Sequence, residues 1–386
     1  MKILFTGGGT GGHILPLIAI AREIRKAQGT SSISFAYLGP KDDFSRILLS
    51  QEGIKVQTIL AGKLRRYLTT KSILQNIVDV LFMFPLGLLQ SFGKIFTFSP
   101  NLMVSKGGYG ALAPAIAAWI MRVPIFLHES DVSPGLANKI VGKFATHIFT
   151  SFKNTEIFPK KKMTVIGNPI RKEILSGSKQ EAKRIFKLQG GKPVVLISGG
   201  SQGAEKINDT LLNILNKTLG EFEIIHQTGE KNFKQLQAES KIIIEKGREM
   251  YYHPVPFLKE PELRHAYQVT EIIVSRAGSG SIFEIAALGK PSIIIPITHS
   301  AQNHQIKNAY AYEKTGACVV LEEANLTPNF FLEKLRYFIS HQEDTDKMRT
   351  AALAFAKPEA ANVLARLIIE YLKGYEPSSP EDGQTM

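Results

Sequence analysis

The chemistry of this chain is concentrated in three small-residue turns. The first is Gly7-Gly8-Gly9-Thr10-Gly11-Gly12-His13, at the end of a short apolar run and ahead of a helical pattern. Its spacing satisfies G-x-G-x-x-G, a turn that lets a phosphate approach backbone N–H groups at a helix N-terminus. A dinucleotide site would also need an acid about 20 residues further on. Here the second strand closes in Leu38-Gly39-Pro40 and the first acids after it are Asp42 and Asp43, which argues against a nicotinamide cofactor. His13 is the unusual member. Imidazole titrates near neutrality and can remove a hydroxyl proton, as a group-transfer site requires; the plainer role is a helix cap.

The second turn, Gly199-Gly200-Ser201-Gln202-Gly203-Ala204, fits a phosphate cradle in which Ser201 is a hydrogen-bond donor. It also fits the G-x-S-x-G nucleophile elbow. Asp209, Asp344, His304 and His341 lie downstream without a visible pairing, and a hydrolase would leave the first turn and His13 unexplained. The third turn runs Arg276-Ala277-Gly278-Ser279-Gly280-Ser281 and leads to Glu284. Arg276 can face a phosphate. Glu284, expected in the first helical turn, can accept two hydrogen bonds from a ribose diol. Ser281 and Glu284 are equally spaced for a capping box. The polar stretch 296–308, expected to be a loop, offers Gln302, Asn303, His304 and Gln305 to sugar hydroxyls. Asp344-Thr345-Asp346 has the form of a D-x-D metal signature but sits in a charge-rich stretch, and reads as solvated surface; no His, Asp or Glu cluster has metal spacing.

The elements that must position these turns are short β-branched runs alternating with helical patterns. Strands are expected at 2–6, 33–38, 55–59, 102–105, 125–128 and 148–150, with a helix over 14–28. After Gly190-Gly191-Lys192-Pro193 the pattern restarts, with strands at 194–198, 223–226, 271–275, 292–295 and 317–321 and a helix over 204–219. This is α/β organisation with parallel sheets covered on both faces, in two doubly wound domains. The expected division is 1–168 and 169–357, with a final helix within 358–375 and a polar, disordered tail at 376–386. Each half opens with strand, glycine turn and helix, which places ligand at the strands' carboxyl ends.

With 386 residues, 44% apolar and 21% charged, the chain can bury sizeable cores. Its one cysteine, Cys318, excludes an internal disulfide framework. The net charge of +13 is uneven: residues 1–170 hold 20 Lys and Arg against 8 Asp and Glu, whereas the remainder is nearly balanced. Such asymmetry suggests a face for a polyanion or an anionic lipid surface. Ile73, Ile77, Val80, Leu81, Phe84, Leu88 and Phe92 recur at helical spacing, broadened by Leu64, Phe82, Met83, Leu86 and Leu89. Lys63, Arg65, Arg66, Lys71 and Lys94 flank them, which suits docking on an anionic bilayer; burial on two sides is the plainer alternative. The stretch 77–92 falls short of the ~20 residues that span a bilayer, so the expectation is lying on a membrane rather than crossing it.

Several blocks in order resemble the GT-B glycosyltransferases of family 28. They are Phe5-Thr6 with the first turn, Ser105-Lys106-Gly107-Gly108-Tyr109, His128-Glu129, Gly135-Leu136-Ala137-Asn138-Lys139, Gly167-Asn168-Pro169-Ile170-Arg171, the second turn, and the segment from Arg276 to Glu284. The resemblance covers roughly residues 1–375. Within the family it is to the enzymes that add N-acetylglucosamine to the lipid-linked muramyl-pentapeptide precursor of peptidoglycan. It implies two Rossmann-like domains facing across a cleft, the first receiving the lipid acceptor (lipid I), the second holding UDP-N-acetylglucosamine. It further implies inversion at the sugar, no metal or other cofactor, no nucleic-acid partner, and a peripheral place on the cytoplasmic face of the bacterial cell membrane.

By motif position, Thr10, Gly11, Gly12 and His13 approach the donor from the first domain. Arg171, Ser201, Arg276, Ser279, Gly280, Ser281, Glu284 and Gln305 line the nucleotide-sugar site, and Leu258 offers its backbone to the uracil edge. His13 is the expected base, with Glu129 second. The familiar His-Glu-Gln-Asn is here His128-Glu129-Ser130-Asp131, so Asp131 replaces an amide that touches the sugar. An ionised carboxylate accepts hydrogen bonds but does not donate them. A diacylglycerol glycosyltransferase and a UDP-sugar epimerase are the alternative readings.

Overall fold

The computed structural model describes residues 1–28, 33–63, 65, 69–155, 157–200, 203–298 and 301–374. The expected tail at 376–386 lies outside them, as do Leu64, Arg66 and Ser201. The chain divides into two compact units: Met1–Ile170 with the chain from Glu359 onward, and Arg171–Pro358.

In the first unit the strands are β1 (Lys2–Thr6), β2 (Ser34–Pro40), β3 (Lys55–Ile59), β4 (Leu102–Ser105), β5 (Ile125–Glu129), β6 (His147–Thr150) and β7 (Met163–Val165). They form one sheet in the order β3-β2-β1-β4-β5-β6-β7, every pair parallel. Runs such as Ile3-Leu4-Phe5 and Phe126-Leu127 are buried on both sides of the sheet, which is why they read as continuous apolar segments rather than alternating ones. One face is covered by the helices Gly11–Gln28 and Ala360–Leu372, through Ile14, Leu17, Ile20 and Ile24 on one and Leu364, Leu367 and Ile368 on the other. Asn362 donates to Glu23 at 3.0 Å and ties these two helices together.

The other face carries Leu112–Ile120 and the apolar segment. That segment is one helix from Ser72 to Phe98, with a wide π turn at Asp79–Met83. The Phe84 N–H reaches back to the Asp79 carbonyl, and the wide turn lets the helix run on past Pro85, which has no N–H to give. Its 27 residues, with a mean hydropathy of 1.7 over an 18-residue stretch, make it long and apolar enough to cross a membrane, by length and composition. The expected stretch, 77–92, is the inner part of this helix, which runs on to Ser72 on one side and Phe98 on the other. Gly87, Ser91 and Ile95 are buried against the unit, and a Cβ at Gly87 would stand 1.9 Å from the Leu60 carbonyl oxygen. Burial on two sides does not occur: Leu81, Phe82, Leu86, Leu89 and Phe96 are exposed.

The second unit holds β8 (Val194–Ser198), β9 (Glu223–Gln227), β10 (Tyr252–Val255), β11 (Ile272–Ser275), β12 (Ser292–Ile294) and β13 (Val319–Val320). Their order is β10-β9-β8-β11-β12-β13, again parallel throughout. β7 and β10 were not foreseen. Both are short edge strands, and β10 contains Pro254, which an edge tolerates because one side of the strand needs no ladder donor.

Leu364 is fully buried between the last helix and the first. Leu364→Ala should cost the first unit ~2–5 kcal/mol through lost burial and a residual cavity. Trp119, the one tryptophan of the chain, belongs to that unit. Its fluorescence should report an earlier transition in denaturant; an unmoved midpoint would mean the last helix adds little to this core.

Candidate functional site

In each unit the chain reverses strand order at one point, between β1 and β4 in the first and between β8 and β11 in the second. The strand ends diverge there and leave a crevice at their carboxyl termini. All three small-residue turns, and the Lys106-Gly107-Gly108 turn, leave these four strands.

In the first unit, the helix Gly11–Gln28 begins inside the glycine run with no acidic residue in its first turn, and Asp42 packs beside Gly9 of that run. Pro16 has no N–H for the Gly12 carbonyl. Thr10 Oγ1 lies 2.8 Å from His13 Nδ1 and sets the ring. The imidazole rests between the two turns: a Cβ at Gly8 would come within 3.1 Å of its Nδ1, and one at Gly108 within 3.1 Å of its Nε2. Gly107 and Gly108 both have φ near +80°, and a Cβ at Gly107 would collide with the Asn138 amide. Glycine is therefore needed for both conformation and space.

Behind this turn lies a cluster in which only Glu129 and Asp131 were assigned roles from the sequence, the others standing in motif blocks. Lys106, at 2% exposure, places Nζ 2.7 Å from His128 Nδ1 and 3.2 Å from Asn168 Oδ1, and donates to Ser130 Oγ. Glu129 is equally buried. It accepts from the Asp131 N–H at 2.9 Å and from Asn138 Nδ2 at 2.7 Å. Burial pushes the Glu129 carboxyl up to about 7, with the Asp131 charge adding to it, and pushes the Lys106 amine down to about 7 against the pull of Glu129 and Asp131. His128 is driven well below the usual imidazole range by burial and by Lys106. The available signal was a lysine set directly after a buried strand and before two glycines, where a solvated lysine has no room.

In the second unit, Gly200 and Gly203 take φ of +80°, and the helix Glu205–Glu221 starts without a side-chain cap. Gln227, unforeseen, donates from Nε2 to the Gly200 carbonyl at 3.0 Å and accepts the Leu258 N–H at 3.1 Å. One buried amide thus locks the second turn to the segment expected to meet a base. It occupies the Leu258 N–H and leaves the carbonyl as that residue's available contact.

The third turn differs from expectation in two ways. The helix Ser279–Ala287 begins at Gly278 with no side-chain cap, so Ser281 and Glu284 form no capping box and Glu284 lies in the second turn. Ser279, Gly280 and Ser281 instead form the open N-terminus of that helix. Arg276 is committed to the protein, donating to the Ile295 carbonyl at 3.1 Å and pairing with Glu323, so it shapes the 295–298 segment rather than facing outward to a phosphate. Glu284 is held by Arg171 at 3.4 Å and by the Tyr267 hydroxyl at 3.1 Å, and Arg171 also pairs with Glu260 at 2.8 Å. Two held oxygens still leave lone pairs for a diol. Burial raises the Glu284 carboxyl and Arg171 opposes that. Gln305 stands in the first turn of the helix His304–Glu313, not in a loop, and accepts the Ile297 N–H at 3.1 Å. Asp344 and Asp346 lie exposed on the helix Gln342–Phe355.

Residues 3–150 match the glycosyltransferase family 28 N-terminal domain, and residues 194–364 match the family 28 C-terminal domain. A Clostridium tetani relative, named as UDP-N-acetylglucosamine–N-acetylmuramyl-(pentapeptide) pyrophosphoryl-undecaprenol N-acetylglucosamine transferase, is 36% identical over 89% of this chain and 91% of its own. A Treponema denticola relative of the same name is 32% identical over 98% and 99%. Among solved structures, Acinetobacter baumannii MurG aligns with a TM-score of 0.70 at 23% identity, covering 96% of this chain and 99% of its own. A Neisseria meningitidis UDP-GlcNAc 2-epimerase aligns at 0.66 and 16%, covering 96% and 100%, a likeness of fold. The chain belongs to glycosyltransferase family 28, and its fold is the GT-B pair of parallel-sheet α/β units.

The Glu129 carboxyl gives a pH signature. Its folded value lies above its unfolded one, so its contribution to stability is greatest below the unfolded value and is lost as pH rises toward about 7. Glu129→Gln should therefore gain stability relative to the wild type between about pH 5 and pH 7. Denaturant midpoints across that range check it; a constant difference would mean that Glu129 is solvated.

Proposed function

We propose that this enzyme transfers N-acetylglucosamine from UDP-N-acetylglucosamine to the C4 hydroxyl of undecaprenyl-pyrophosphoryl-N-acetylmuramyl-pentapeptide, with inversion, converting lipid I to lipid II. The observation that carries this is the match along nearly the whole chain to relatives named for that transfer. The first unit receives the acceptor and the second holds the donor. Glu284, Arg171 and the Leu258 backbone bind the nucleoside, and Gln305 and Asp131 address the sugar. The acceptor hydroxyl attacks C1 of the donor sugar as UDP leaves. His13, oriented by Thr10 and packed on two glycines, takes the hydroxyl proton, with Glu129 as the alternative base. The leaving diphosphate gains charge, and within the second unit the uncapped helix N-terminus at Ser279-Gly280-Ser281, with Ser201, stabilises it without a metal.

Radiolabel transfer from UDP-N-acetylglucosamine to a lipid I analogue tests the reading. Product should form at an unchanged rate in EDTA. Label on diacylglycerol instead, or epimerised donor without acceptor, would replace it. His13→Ala should cut turnover by ~10²–10⁴-fold with little change in donor affinity. Glu284→Ala should weaken donor binding by ~1–3 kcal/mol in calorimetry.

The enzyme works at the cytoplasmic face of the membrane as a peripheral protein. The exposed side of the helix Ser72–Phe98 supports this, with Leu81 and Leu89 more than 60% exposed. Lys63 and Lys94 border it. Arg65 is paired with Asp79 and is a weaker contributor than its charge suggests, while the Arg66 position lies outside the described residues. Apolar insertion resists salt and charge attraction does not. Binding to anionic vesicles should fall in high salt without vanishing. Leu81→Asp with Leu89→Asp should remove the salt-resistant part in a flotation assay and spare turnover on a water-soluble acceptor. Unchanged flotation would move the docking face elsewhere.

A further inference from the structure

Gln227 is the last residue of β9, it is buried, and its one amide makes two hydrogen bonds of opposite sense. Nε2 donates to the Gly200 carbonyl at 3.0 Å, and Oε1 accepts the Leu258 N–H at 3.1 Å. Both lengths are ordinary for N–H···O bonds. The partners fix which way the amide points, because a carbonyl can only accept and a backbone N–H can only donate. The side chain therefore stands between the second glycine turn and the segment that follows β10. The Gly200 carbonyl also accepts the Gly203 N–H at 3.1 Å, which closes the turn, so Gln227 grips the turn at its reversal.

The strand end that carries Gln227 is held independently of its amide. On one side, Asn208 Nδ2, from the helix Glu205–Glu221, donates to the Thr228 carbonyl at 3.0 Å. That bond leaves Asn208 Oδ1 to accept from His226 Nε2 at 3.0 Å, so His226 Nδ1 is bare and takes the Tyr252 hydroxyl at 2.8 Å. On the other side, the Thr228 N–H donates to the Val255 carbonyl at 3.0 Å, and its hydroxyl reaches the same oxygen at 3.2 Å. Gly203 lies against this strand end, where a Cβ would come within 2.6 Å of the Thr228 carbonyl oxygen. His226 and Thr228 thus make the end of β9 a fixed post. What Gln227 adds is the link from that post to the turn and to Leu258 together. Without it the buried Leu258 N–H loses its acceptor, which is costly, whereas the Gly200 carbonyl keeps the Gly203 bond.

We propose that Gln227 is a positioning residue of the donor site: it sets the spacing between the turn that receives the diphosphate and the backbone that meets the base, so that a nucleoside diphosphate finds both ends of its site already ordered. The proposal deepens the functional reading given above and rests on the second unit holding a uridine diphosphate donor. Gln227 acts through Gly200 and Leu258 rather than by touching the ligand. A ligand that joins base and diphosphate gains fully from both contacts only when the two segments are in place before it arrives; otherwise its binding pays for ordering one of them. One amide shared by the two segments therefore makes the base and diphosphate contributions to affinity interdependent.

The test measures uridine and UDP affinities of the full-length enzyme by calorimetry, uridine in competition with UDP, for wild type, Gln227→Met and Thr228→Val. Methionine keeps the length of the side chain without its donor and acceptor. Thr228→Val removes a hydroxyl tie at the same strand end that does not reach the turn. Gln227→Met should weaken UDP binding about tenfold and uridine binding about threefold, so that the affinity gained from the diphosphate falls about threefold. The loss should appear in KM for the donor rather than in kcat. Thr228→Val should lower the thermal midpoint and leave the uridine-to-UDP affinity ratio at its wild-type value. An unmoved ratio in Gln227→Met, or the same fall in Thr228→Val, would overturn the proposal and leave Gln227 a structural tie. Where methionine disrupts folding, judged by thermal unfolding, Gln227→Asn keeps the amide but is one methylene too short to span both partners, and must show the same fall in the ratio. A wild type that binds no UDP would fail the donor-site reading and this proposal with it; wild-type binding with an unmoved ratio in the variant fails the proposal alone.

Discussion

The constraint on which everything else depends is the reversal of strand order in a parallel sheet. All strands of such a sheet end on one side, and where the order turns back, two adjacent strand ends send their loops apart. β1 and β4 do this in the first unit, β8 and β11 in the second. The turns at Gly7–Gly12, Lys106–Gly108, Gly199–Gly203 and Arg276–Ser281 are each attached to one of these four ends. Two of the helices that follow them, Glu205–Glu221 and Ser279–Ala287, start without a side-chain cap. Backbone N–H groups left unpaired in this way are costly unless water or an anionic ligand meets them, which is what a diphosphate does.

Buried charge is the second organising feature. Lys106, Glu129, Arg171, Glu284 and Arg276 are each under 10% exposed. Taking such groups out of water costs several kcal/mol per ion unless hydrogen bonds and opposite charges replace the solvent. Each has that replacement: Arg171 between Glu260 and Glu284, Arg276 between Glu323 and the Ile295 carbonyl, Lys106 among three acceptors. Charges at these positions do not stabilise the fold as apolar residues would. Their benefit is orientation, because a side chain held at two or three points presents its remaining lone pairs in one direction. Arg276 shows why a charge in a motif cannot be assigned to a ligand from the motif alone.

The apolar helix Ser72–Phe98 departs from both. Its inner side is made for close packing, with Gly87 against the Leu60 carbonyl, while its outer side exposes leucine and phenylalanine. A large exposed apolar face is uncommon on a monomeric soluble unit and marks a surface that meets something apolar. The basic excess of residues 1–170 falls in the first unit, which holds all of them.

The sequence by itself determined the parallel α/β class, the repeat of strand, glycine turn and helix in each half, and the family. These follow from local pattern: buried parallel strands are continuously apolar, and a turn that must take positive φ or allow close approach uses glycine. β7 and β10 escaped because an edge strand is half-buried and short, so its pattern is weak. The helix across Pro85 was legible in the spacing from Ile73 to Phe92, but the π turn within it was not, because a single wide turn leaves no mark on that spacing. Only the tertiary structure decided which polar residues meet. Lys106, Ser130 and Asn168 lie far apart in the chain, as do Gln227, Gly200 and Leu258, or Tyr267 and Glu284. Their contacts are set by which strand ends become neighbours in the sheet, and a hydrogen bond needs its two atoms within about 3.5 Å, a condition that local sequence spacing does not encode.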